Sequence, residues 1–274
     1  MKDILALMLL PLAACLAIGG LHSYLGLHVV RRGVIFLDLS LAQIATLGAG
    51  VAMVLGLDMH GGTTYLLSLA FAFGGALLFA VTRTDERRVP QEAVIGIVWA
   101  ISYAAVFLVL SRHPDGAEDL KNFMAGDMLA ITGRDVARLF GVYAALGLVH
   151  WVARRQLIAI SVDHAGAVSR GMRVKAWDFL FYLTFAVMVT TSVGMVGVLP
   201  VFAFLIVPAV IASLFATSFG AELAIAWVAS VAVSVLGMVL SYKLDLPTAA
   251  TVVCTFGAVL VLAALARRLR PQRA

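Results

Sequence analysis

Residues 4–32 read ILALMLLPLAACLAIGGLHSYLGLHVVRR and carry no charged side chain before Arg31-Arg32. A helix that crosses the hydrocarbon core of a bilayer needs roughly 20 apolar residues. Within lipid, backbone N–H and C=O groups have no water to bond, so a lone run of this kind satisfies them internally as an α-helix. The run reads as a spanning helix near 4–30, longer than a bilayer requires, that tilts or extends beyond the core. It starts directly behind Met1-Lys2-Asp3 without a small-residue cleavage site of the expected form. That makes it a first span and not a removed signal peptide.

The pattern repeats along the chain. Apolar runs near 34–57, 64–82, 92–111, 135–153, 176–193, 195–216, 222–242 and 248–266 bring the expected total to nine spans. The sixth and seventh are divided at Gly194-Met195-Val196-Gly197, taken as a hinge. Composition agrees: 62% of the 274 residues are hydrophobic and 13% charged, with a mean hydropathy of +1.03. Soluble domains are about half apolar and about a quarter charged, and a soluble fold of this size has no way to hide so much apolar surface. The expectation is an all-α, polytopic integral membrane protein, a single transmembrane domain over 1–274 with no room for a separate soluble domain.

A net charge of +5 would hint at nucleic acid in a soluble protein. Here the basic residues cluster at the ends of apolar runs: Arg31-Arg32; Arg83 with Arg87-Arg88; Arg154-Arg155 with Arg170, Arg173 and Lys175; and Arg267-Arg268 with Arg270 and Arg273. With nine spans all four clusters fall on one side, which the positive-inside rule makes cytoplasmic. The N-terminal end then lies outside and the C-terminal end inside, and no nucleic-acid partner is expected.

Two connections are long. Segment 112–134, outside, contains Phe123-Met124-Ala125-Gly126-Asp127-Met128-Leu129 and is read as a surface or re-entrant piece. Segment 154–175, inside, reads RRQLIAISVDHAGAVSRGMRVK. Ser161 or Asp163 suits a helix N-cap and Gly171 a stop, so a short amphipathic helix is expected near 163–172. By itself such a helix is as readily an interfacial anchor as a handle for a partner.

No phosphate-cradling GxxxxGK[ST] loop, no HExxH and no paired-cysteine motif occurs. Cys15 and Cys254 lie inside apolar runs and give no reason for a disulfide. The informative groups are polar residues inside spans, where they are costly. Asp38, Ser40 and Gln43 share the second span; Asp38 and Gln43, five residues apart, are separated by roughly 140° around a helix. The preferred reading of Asp38, close behind Arg32, is a water-exposed ion-pair partner, and the other is a pathway residue. Gln43, deeper, lines a pathway or only packs. Glu92 beside Arg87-Arg88 suits a surface ion pair. His22 and His28 point roughly 120° apart and read as packing. Asp58 and His60, and His113 and Asp115, sit in outer loops, as solvated residues or a transient metal stop. His164 reads as surface. Gly and Ala crowd 45–52, 70–76 and 220–232, which lets helices approach closely. Pro200 and Pro208 kink or break the seventh run.

Several segments in order resemble the permease subunits of metal-type ABC importers, the family that brings in zinc, manganese or iron. Leu25-Gly26-Leu27-His28-Val29-Val30-Arg31-Arg32-Gly33 resembles the family's LGxxVVxRG, and Leu41-Ala42-Gln43-Ile44-Ala45-Thr46-Leu47-Gly48 stands where it has LSHAxLPG. Glu92 to Ile97 resembles EAxIGI, and Gly126-Asp127-Met128-Leu129-Ala130 resembles GDxLA. Val193-Gly194 through Pro208-Ala209 resembles VGxLLVxALLIxPA, and Leu244 to Thr251 resembles LDxPTGAT.

The resemblance implies an ABC importer permease of the metal and vitamin B12-like type. Two permease copies form the pathway, and two copies of a separate cytoplasmic ATPase drive it. ATP is then bound by the partner and no cofactor by this chain. An extracytoplasmic binding protein delivers the metal ion. The same resemblance makes 163–172 the coupling helix, with Asp163, His164, Ala167 and Gly171 as its residues toward the ATPase. It also locates the metal ligands in the second span, where Gln43 replaces the family's histidine and Leu39 its aspartate. Glutamine is a weak neutral ligand beside histidine or carboxylate. Asp38 and His28 are the residues near enough to compensate, so His28, Asp38 and Gln43 form the candidate metal set. The alternatives are a permease for a chelated metal or other small solute, and an ion-coupled secondary transporter. The latter needs deep carboxylates that are scarce here.

Overall fold

A computed structural model describes residues 2–59, 61–82, 89–111, 116–126 and 128–269. Among these the secondary structure is helical, with no strand. The helices are α1 (Lys2–Arg32), α2 (Leu37–Val54), α3 (Gly62–Thr82), α4 (Gln91–Leu110), α5 (Gly116–Ala125), α6 (Gly133–Val162), α7 (His164–Ser169), α8 (Val174–Val196), α9 (Val198–Phe215), α10 (Phe219–Leu244) and α11 (Thr248–Leu269). One 3₁₀ turn, Met128–Ala130, precedes α6. Nine of the described helices are long and apolar enough to cross a membrane, α5 and α7 being the exceptions.

Most boundaries fall within a few residues of the expected ones. The largest departure is α6, which continues to Val162 where a span ending at 153 was expected. Hydropathy reports where a helix leaves lipid, not where its hydrogen bonds end. Arg154-Arg155 mark the first event, while Leu157 and Ile160 stay buried and keep the helix docked. The seventh run is not broken. Pro200 sits in the first turn of α9, where a missing N–H costs little, and the helix runs on through Pro208 to Phe215. The hinge between the sixth and seventh spans narrows to Gly197, whose φ of 83° and ψ of 168° only glycine adopts readily.

The chain forms two compact units. The first comprises residues 1–30, 125–141 and 195–274. In it α9, α10 and α11 pack on one another, and the 3₁₀ turn rests on α11. Small residues make this possible: a methyl at Gly26 would strike the Leu205 carbonyl, and one at Gly237 would come within 2.9 Å of Val252 Cα.

The second unit comprises residues 31–124 and 142–194. Here α2 packs against α3 and α4. Its spanning window is 78% buried, against 22% for α4, so α2 is wrapped by protein while α4 presents most of its surface outward. Gly48 lets α2 approach the α3 backbone at Ser68, where an added Cβ would sit 2.8 Å from Cα. Ala49, Met53, Val106, Leu110 and Phe123 form a core from α2, α4 and α5. The start of α2 is held from α4, because Glu92 Oε1 accepts the Phe36 N–H at 3.0 Å. Glu92 thus serves a backbone donor; Arg87 and Arg88, its expected ion-pair partners, lie outside the described residues.

Candidate functional site

On α2, Asp38 is fully buried, and neither carboxylate oxygen accepts a hydrogen bond among the described residues. This overturns the water-exposed ion pair preferred from sequence. The cause is that Arg32 is engaged elsewhere. Its Nη1 donates to Asp178 Oδ1 on α8 at 2.6 Å and its Nε to Ser161 Oγ on α6 at 2.8 Å. Its guanidinium carbon lies 4.1 Å from the Phe181 ring centre. A planar guanidinium can use two donors and a flat face at once, which a lysine cannot.

Gln43 is also buried. Its Nε2 donates to Met124 Sδ at 3.7 Å, while Oε1 has no partner among the described residues. Ser40, between them, is spoken for: its hydroxyl donates to the Ile95 carbonyl at 3.2 Å. The 140° separation of Asp38 and Gln43 therefore does not expose either one, because α2 is covered on nearly all sides.

Further polar groups gather in the same unit. Tyr143 on α6 hydrogen-bonds Ser192 on α8 and lies within electrostatic range of Asp38 and Tyr65. The Tyr65 hydroxyl is 3.0 Å from Thr191 Oγ1, and Thr190, Thr191 and Ser192 are all buried. Sequence reading missed this set. The signal was present in Thr190-Thr191-Ser192, three hydroxyls in a row inside an apolar run, and in Asp178 near the start of the same run.

His28 belongs to the first unit and Asp38 and Gln43 to the second. The buried His28 ring sits among aromatics, 4.7 Å from Tyr24 and 5.1 Å from Phe219 between ring centres. His22 bonds its own helix, with Nδ1 3.0 Å from the Ile18 carbonyl. Among the described residues no group of three or more His, Cys, Asp or Glu stands together as a metal-holding set. His60, His113, Asp115 and Asp127 lie outside the described residues.

The cytoplasmic segment folds as a capped turn of helix. Asp163 is the N-cap of α7, with Oδ1 accepting the Gly166 N–H at 2.8 Å. The other end closes as a Schellman motif: Gly171, at φ +72°, donates to Val168, and Met172 donates to Ala167. Ala167 is buried against Ile160 and Val174, with Met172 and Trp177 around them. This fixes α7 on the α6 and α8 ends. His164, half-buried, lines a cavity of about 440 Å³ with Val168, Met172, Arg173 and Asp178. Val168 and Ser169 are exposed.

The ABC 3 transport family matches residues 5–267. The manganese import system permease protein ScaB of Streptococcus parasanguinis is 24% identical over 244 residues, 89% of this chain and 85% of that protein. A protein of Haemophilus influenzae described as a "probable iron transport system membrane protein" is 26% identical over 240 residues, 86% of this chain and 82% of its own length. Among solved structures, PsaBC from Streptococcus pneumoniae in complex with Fab superposes with a TM-score of 0.80 at 22% identity, covering 96% of this chain and 93% of that one. That likeness is one of fold, and the family match covers the nine candidate spans found among the described residues bar the tail of α11. This chain is a multi-pass protein of the bacterial plasma membrane and belongs to the ABC 3 transport family.

Proposed function

We propose that the chain is the permease subunit of an ATP-driven importer for a divalent transition metal ion, zinc or manganese, and is not itself an enzyme. A separate cytoplasmic ABC ATPase hydrolyses ATP, an extracytoplasmic metal-binding protein delivers the ion, and two permease copies enclose the pathway. The observation that carries this is the end-to-end family match together with relatives named for manganese and iron transport. The absence of a nucleotide-binding loop in the sequence agrees with a motor in another chain.

The buried oxygens of Asp38 and Gln43 on α2, which accept no hydrogen bond among the described residues, support a polar path for a cation. A carboxylate and an amide oxygen are hard donors that suit manganese better than the softer-loving ions. A second reading has an observation of its own. With glutamine at position 43 and no clustered set of strong ligands among the described residues, a chelated metal passing through whole would need no stripped-ion site. The family match counts against an ion-coupled secondary transporter.

The test is purification with the partner ATPase, reconstitution in liposomes, and metal-by-metal measurement of uptake and stimulated ATP hydrolysis. Stimulation by a free divalent ion is the expected result. Stimulation only by a metal–chelator complex would select the second reading, and no metal dependence at all would overturn both.

A further inference from the structure

Arg32, Ser161 and Asp178 form a clamp at the foot of the second unit. Ser161 is next to last in α6 and lies just before the Asp163 cap. Asp178 is in the first turns of α8, just beyond the Gly171 turn. The two legs on either side of α7 are thus tied to one guanidinium that belongs to neither. The pair is sealed, with side-chain exposures of 1% and 3%, and Asp178 lines the cavity beside His164 and Arg173. Replacing a buried ion pair by apolar residues often leaves stability unchanged, so stability alone does not explain one here. Losing one partner of such a pair strands the other's buried charge, so the elements that carry the two groups are held together.

On the other side of Arg32 the connection to α2 is short and itself tied. Leu37 N–H donates to Val34 O at 3.1 Å, and Glu92 holds Phe36. The next turn carries Asp38. A displacement of the α6 and α8 ends therefore has a direct route into the helix that bears the buried oxygens.

We propose that the Arg32–Asp178–Ser161 clamp carries movement of the α7 segment into α2, making Arg32 and Asp178 positioning residues for transport. This rests on the reading of α7 as the segment the ATPase holds. Neither residue meets the cargo; both act through the start of α2.

The test uses the full permease–ATPase complex in liposomes, with wild type, Asp178→Asn, Asp178→Glu and the apolar double variant Arg32→Met/Asp178→Leu. Three quantities are read: ATP hydrolysis, metal carried per ATP, and hydrogen exchange of residues 164–172 and 34–40 on trapping with ATP and vanadate. Wild type should respond in both segments. In Asp178→Asn the response at 164–172 should persist, that at 34–40 should vanish, and metal per ATP should fall on the order of tenfold, a usual size for coupling between sites. Asp178→Glu should keep most of both. The apolar double variant should fold and hydrolyse ATP yet stay uncoupled. Wild-type transport in that double variant overturns the proposal, and so does an undiminished response at 34–40 in Asp178→Asn. No response at 34–40 in wild type overturns it as well. If wild type carries no metal but the exchange response is present and depends on the clamp, the metal reading fails and the clamp stands.

Discussion

At Gly26 one methyl group separates a tolerated change from a damaging one. A Cβ there would land on the Leu205 carbonyl, with Ala209 Cβ at 3.3 Å, whereas at Gly20 nothing lies within 4 Å. Gly26→Ala is expected to cost about 1–3 kcal/mol through overpacking, read as a lower melting temperature in detergent. Gly20→Ala, gaining helix propensity of up to about 1 kcal/mol, should be neutral or slightly stabilising in the same assay. For Asp38 the expectation concerns transport. Losing even an outer partner of a metal commonly costs roughly 10–100-fold in affinity, so Asp38→Asn should lower uptake by about tenfold or more while leaving folded yield near wild type. Unchanged uptake in that variant would remove Asp38 from the pathway. Gln43→Ala belongs beside it: unaltered uptake and metal selectivity would reduce Gln43 to packing. This scale was the least legible in the sequence. Arg32 is followed by Asp38 along the chain, and nearness in sequence suggested a pair. The nearer acceptor in space is Asp178, 146 positions away, and no periodicity within one span reveals that.

Among the elements, α7 was read from its ends. Asp163 and Gly171 are visible as cap and stop because each satisfies a backbone requirement that depends on local chemistry alone, and the structure has both. Asp163→Ala should loosen α7 by about 1 kcal/mol, the usual worth of an N-cap, seen as faster amide exchange at 164–169. Arg170→Ala should change it little. The Arg170–Asp163 contact is 3.4 Å long with both side chains more than half exposed, and exposed pairs of this kind contribute about 0–1 kcal/mol. What the sequence hid at this scale was the extent of α6 and the continuity of α9. Charge and proline both look like punctuation, yet arginines tolerate a helix well once it has left lipid, and a proline in the first turn gives up a hydrogen bond the helix never had.

At the scale of the whole molecule, the described residues contain the nine candidate spans that the sequence suggests, because each run is long and apolar enough to be recognised without its neighbours. The same reading makes a topology prediction. In a cysteine-free background, a single cysteine at Ser169 should react with a membrane-impermeant maleimide only from the cytoplasmic face, and one at Gly61 only from the opposite face. Labelling of both from one side would remove a span from the count. The division into two compact units was not foreseen. Each unit gathers segments far apart in the chain, and composition carries no trace of such long-range pairing.

The burial of α2 bears on how the protein is made. Its hydropathy is among the lowest of the nine candidate spans, and it is the most enclosed of them. A helix bearing Asp38, Ser40, Gln43 and Thr46 gains little from lipid, since polar and ionisable side chains inside a span are costly to insert. Its packing partners α3 and α4 are synthesised after it. During translation α2 thus emerges before the surfaces that will shelter it. A nascent chain halted after α2 should slip back from the bilayer, whereas one extended through α4 should stay.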